Sequence, residues 1–162
     1  MDPKFEITAA YSEINAYYPI LSGLAVLLPQ MVFGLPMGTV ADKVNRVTLL
    51  GIGCVLWSST TLISGEIDSF WVFVSARVLL GVFTASCQAP ALSLIRDYFP
   101  PGRRSFVNSI YSTSTYFGAC LSSLSVLFIK NYGWREDYDI TGAIGIFLGV
   151  VLLFTVQEPE RG

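Results

Sequence analysis

The sequence predicts an all-α membrane protein with five membrane-spanning helices. Three observations carry that expectation. The mean hydropathy is +0.57. Only 14% of the 162 residues are charged, whereas a soluble domain carries about a quarter. The apolar residues are gathered into five blocks of spanning length, the third interrupted by one charge, Arg77. A soluble enzyme and a disordered tail are excluded on these grounds. A basic nucleic-acid binder is excluded as well, because 10 Lys and Arg against 12 Asp and Glu give a net charge of -2.

A bilayer core about 30 Å thick takes roughly 20 helical residues to cross. The first uncharged block, 14–41, ends at Asp42-Lys43-Val44-Asn45-Arg46. Gln30 lies in it between Pro29 and Pro36, which predicts a bent helix with a polar side chain within reach of a cavity. The second block, 47–65, ends at Glu66 and Asp68, and the third, 69–95, ends in the charged linker Arg96–Arg104. The fourth runs over 105–129, a polar loop from Lys130 to Asp139 follows, and the fifth covers 140–157. Loops of about five to ten residues leave the whole of 1–162 as a single transmembrane domain. Asp2, Glu6 and Glu13 stand where a signal peptide would be basic. Cys54, Cys87 and Cys120 lie inside spans and read as small packing residues. Lys43, Arg46, Arg96, Arg103 and Arg104 mark the loops after the first and third spans as the cytoplasmic side. That places residues 1–13 on the opposite side.

Two stretches carry candidate chemistry. Gly38-Thr39-Val40-Ala41-Asp42-Lys43-Val44-Asn45-Arg46 puts an Asp at the membrane boundary with basic residues one and four positions later. It reads either as an ion-pair network or as a solvated turn. In the third span Arg77, Gly81, Thr84 and Gln88 recur at helical spacing and form one polar stripe. An Arg facing lipid costs at least a few kcal/mol, so Arg77 faces either a solute cavity or neighbouring carbonyls. Pro90 bends that helix further on. In the fourth span Asn108, Ser112, Thr115 and Ser122 share a face. Asn108, Ser112 and Thr115 are candidates for the same cavity, while Ser122, Ser123 and Ser125 read as residues bonded to their own backbone. Gly145 and Gly149 form a small-residue packing face. The sequence has no His, no metal-ligand cluster and no phosphate loop, and the blocks contain no carboxylate. No nucleophile–base arrangement is visible, so no enzyme is expected.

The sequence resembles the major facilitator superfamily. The loop signature, roughly G-x-x-x-D-[RK]-x-[GN]-R-[RK], is matched by Gly38, Asp42, Lys43, Asn45 and Arg46, with Val47 departing from it. Arg77-x-x-x-Gly81-x-x-x-Ala85 is similar to that family's fourth-helix motif, and Asp97 sits where the family places an acid opposite Arg46. Ala76–Gly81 and the closing Glu158-Pro159-Glu160-Arg161-Gly162 look most like the spinster-like branch. The resemblance implies that the five spans are helices two to six of an N-terminal six-helix bundle, with the first helix and the second bundle outside this chain. It implies a secondary carrier that moves a small organic or lipid-like solute by alternating access. In it Gly38, Asp42, Lys43, Arg46 and Asp97 would form a gate network, and Arg77, Thr84 and Gln88 would face the solute. Spinster-like proteins carry an acid where this chain has Thr84, so proton coupling by this chain alone is not expected. The expected partners are the lipid bilayer, the solute, and the missing bundle or another membrane subunit, with no nucleic acid. The rival reading is a non-transporting assembly subunit derived from a carrier. A third is a shortened reading of a longer gene.

Overall fold

A computed structural model describes residues 18–67 and 69–159. Among the described residues five helices follow one another: α1 Tyr18–Ala41, α2 Arg46–Glu66, α3 Phe70–Tyr98, α4 Pro101–Tyr132 and α5 Trp134–Thr155. Each is long and apolar enough to cross a membrane. The expected start of the first span at residue 14 lies outside the described residues.

The helices run further than the uncharged blocks. α4 takes in Arg103, Arg104 and Lys130, and α5 takes in Arg135, Glu136, Asp137 and Asp139. The expected polar loop between the fourth and fifth spans is therefore helical apart from Gly133 (φ 102°), a backbone angle that suits glycine. The charged linker shrinks in the same way to Phe99 and Pro100, with Pro101 opening α4 at a position where its missing N–H costs nothing. The reason is geometric. Charge marks the limit of the hydrocarbon, whereas hydrogen bonding carries a helix on through the headgroups. At 32 residues α4 is about 48 Å long, well beyond the bilayer core.

Spatial order differs from chain order. α2 packs between α3 and α5, and α1 packs on α3. These contacts are made through small residues, since Leu against Leu gains nothing over Leu against lipid. Gly142, Gly145 and Gly149 of α5 are buried against α2, where added side chains would strike Leu62, Ser58 and Val55. Gly53 of α2 is equally tight against Ser86 and Cys87 of α3. Gly81 brings α3 onto the backbone of α1, where an added Cβ would lie 2.3 Å from the Val26 carbonyl oxygen. The buried hydroxyls of Thr60, Thr61 and Ser64 are absorbed within α2 by bonds of 2.7–2.9 Å to carbonyls one turn earlier. Pro29, Pro36 and Pro90 all sit inside continuous helices.

α4 stands apart. It buries none of its residues and touches α3 and α5 only lightly. Cys54 and Cys87 are half-buried at the α2–α3 contact with their sulfurs 4.0 Å apart, while Cys120 on α4 is exposed.

Candidate functional site

The first cluster forms where α2 begins, α3 ends and the chain leaves α5. Asn45 starts α2 by accepting a bond of 2.8 Å from the Thr48 amide. That cap fixes the next residue, Arg46, which is 3% exposed. Its guanidinium donates to Asp97 Oδ2 at 2.5 Å and to Ser93 Oγ at 2.7 Å, both on α3. Its Nε donates to Glu158 Oε1 at 2.9 Å, and the Val47 amide donates to Glu158 Oε2 at 3.0 Å. The Tyr98 hydroxyl also donates to the Gln157 carbonyl. One cation thus gathers two carboxylates from separate elements and ties the stretch after α5 to α2 and α3.

Asp97 sits where the sequence expectation put it. Glu158 and Ser93 were not expected as partners of Arg46, although Glu158 is the first charge after the last apolar block. Asp42 and Lys43 are exposed on the turn. Gly38 and Asp42 line a cavity of about 420 Å³ with Ala89, Leu92, Ser93 and Arg96.

Burial pushes the Glu158 carboxyl up, but the Val47 amide and the Arg46 guanidinium outweigh it and hold the group below the usual glutamate range. The lowered value means that the stabilisation is present at neutral pH and is lost as pH falls through it. Thermal unfolding of the detergent-solubilised chain should therefore show a drop in melting temperature as pH falls below the usual glutamate range. In Glu158→Gln the drop should be smaller; an identical drop would remove Glu158 from the account.

The second cluster lies at the opposite end. Arg77 donates to the Tyr138 hydroxyl of α5, and its guanidinium carbon lies 4.8 Å from the Phe73 ring centroid and 5.2 Å from that of Tyr138. Arg135 donates to the Gly65 carbonyl at 2.8 Å, joining the start of α5 to the end of α2. The other expected cavity residues are not gathered around Arg77. Thr84 is half-buried and bonds its own backbone at Leu80, 2.7 Å away, and Gln88 is exposed. Asn108, Ser112 and Thr115 are exposed on α4, and Gln30 on α1 is half-buried. Sequence reasoning missed Tyr138, Asp137 and Asp139 because it placed them in a loop. Three carboxylates, Glu136, Asp137 and Asp139, therefore belong to a helix of spanning length.

A sequence model described as Major Facilitator Superfamily matches residues 7–162. The chain is 30% identical over 169 residues to Protein spinster homolog 1 of Xenopus tropicalis, a match covering 98% of this chain and 32% of that protein. It is 28% identical over 129 residues to the Sphingosine-1-phosphate transporter SPNS2 of Danio rerio, covering 77% of this chain and 26% of that one. Among solved structures it is similar to a bacterial homolog of the human lysosomal transporter spinster. In the inward-facing, occupied conformation the TM-score is 0.72 at 28% identity, over 96% of this chain and 40% of that one. In the unoccupied conformation it is 0.70 at 31% identity, over 88% and 36%. The chain spans about a third of the length of the curated relatives it matches.

Proposed function

Given that the chain belongs to the Major Facilitator Superfamily, whose members are transporters and not enzymes, we propose that it supplies one wall of a secondary carrier for a lipid-like amphiphilic solute. As a multi-pass integral membrane protein with spinster relatives, it would act by alternating access, in which helical units rock about a central site. The observation that carries the reading is the Arg46 cluster. A buried cation bound to Asp97 and Glu158 joins three separate elements at one end of the bundle. Such a network holds that end as a unit when the rest of a carrier moves against it. Asp42 and Lys43 on the adjoining turn complete the gate, with Gly38 leaving room at the mouth of the cavity. The solute class is supported by the relative named for sphingosine-1-phosphate transport. Arg77, with Thr84 and Gln88, faces the solute, and the α4 stripe of Asn108, Ser112 and Thr115 lies open to it.

Uptake of radiolabelled sphingosine-1-phosphate, measured with the chain in its native-length protein, tests this. Arg77→Ala should abolish uptake and leave membrane abundance unchanged. Parallel loss of both would make Arg77 a structural residue. The rival reading, an assembly subunit without transport, is favoured by one observation: α4 buries nothing along its whole length. Solute uptake by the native protein would remove that rival, whereas a stable partner subunit with no uptake would establish it.

A further inference from the structure

We propose that Tyr138 is a positioning residue that seats the Arg77 guanidinium at the end of the bundle remote from Arg46. Its functional meaning rests on the reading of Arg77 as a solute-facing residue, while the contact itself does not.

A guanidinium within a spanning helix is costly unless neighbouring groups hold it. Here two aromatic faces, Phe73 and Tyr138, lie within cation–π distance of the guanidinium carbon. Phe73 is on Arg77's own helix, one turn back, and is fully buried. It can only shape the near side. Tyr138 comes from α5 and adds an oxygen that accepts from Arg77 Nη2. It therefore holds the guanidinium from across the bundle.

Tyr138 is itself held on two sides. Its ring stands edge-on to Trp134, 5.9 Å away at 86°, and Trp134 is 1% exposed. Its Cβ lies against Gly65 of α2, where an added side chain would be 3.1 Å from it. The Arg135 bond to the Gly65 carbonyl anchors the same turn. Backbone and ring edge are thus fixed by α2 and α5, while the hydroxyl and one ring face are turned to Arg77 of α3. That division predicts a separation: removing the oxygen should loosen Arg77 without loosening the fold, whereas removing the ring should do both.

Phenylglyoxal labelling of arginine in the detergent-solubilised chain, read by peptide mass spectrometry, tests the contact without any solute. Exposed Arg103 serves as the internal standard. In the wild type Arg77 should react more slowly than Arg103. Tyr138→Phe should raise the Arg77 rate by about tenfold, the scale of one hydrogen bond to a charged group, with the melting temperature unchanged. Tyr138→Leu should raise it further and lower the melting temperature. If neither variant moves the Arg77 rate, or Tyr138→Phe leaves it unchanged while Tyr138→Leu only destabilises, Tyr138 is a packing residue and the proposal falls. The uptake assay then separates the two ideas. Silent Arg77→Ala would sink the solute role of Arg77 whatever the labelling shows. Loss of uptake in Arg77→Ala with unchanged labelling in Tyr138→Phe would sink only Tyr138.

Discussion

Replacing Arg46 by alanine should destabilise the chain by about 3–5 kcal/mol, the usual consequence of leaving buried charges uncompensated. The guanidinium is 3% exposed and is the partner of both Asp97 and Glu158. Its removal leaves two largely buried carboxylates facing each other across the space it filled. The stretch after α5 would then be held by the Tyr98–Gln157 bond and by the Val47 amide on Glu158. The expected result is loss of folded protein from membranes, or a melting temperature depressed by many degrees in detergent. Lysine should rescue little, because a single ammonium cannot reproduce the fork that reaches Asp97, Ser93 and Glu158 together. The triple variant Arg46→Met with Asp97→Asn and Glu158→Gln should recover part of the loss, since it removes the stranded charges. Wild-type stability in Arg46→Ala would show the cluster to be dispensable.

A second large effect is expected from one methyl group. Gly81→Ala would place its Cβ 2.3 Å from the Val26 carbonyl oxygen and 3.0 Å from the carbonyl carbon. Both belong to a helix backbone and cannot swing aside, so α1 and α3 must separate along their contact. Overpacking of this kind costs about 1–3 kcal/mol, and here it acts on the one strong interface that α1 has among the described residues. Protease protection of α1 and the melting temperature should both fall. Gly118→Ala on α4 is the matched control, because an added Cβ there meets nothing within 4 Å. It should be neutral or slightly stabilising, as alanine is the better helix former. Equal behaviour of the two variants would mean that the α1–α3 contact does not hold the bundle.

Much of the architecture was legible because lipid imposes a simple rule: uncharged length makes a span. The same rule hid the helix ends. Arg103, Arg135 and Asp139 are charged and helical at once, and nothing in their composition separates a loop in water from a helix turn in the headgroup layer. The Arg46–Asp97 pair was legible only through the family resemblance, which places an acid opposite Arg46. Glu158 was not, because its approach depends on α5 packing against α2 through Gly142, Gly145 and Gly149. The polar stripe of α3 was read correctly as a helix face, but a shared face does not give a shared destination. Gly81 goes to α1 while Arg77 reaches to α5. The hydroxyl face of α4 likewise announced polarity without saying what it meets.

The order of the helices in space has a consequence for how the chain is made. α1 leaves the ribosome before α2 and α3, yet its strong contact among the described residues is with α3 rather than with α2, which follows it. The α1–α2 hairpin thus has little to hold it together until residue 81 of α3 arrives to receive α1. Biosynthesis has a vulnerable interval there, closed by a glycine about 40 residues downstream of the end of α1.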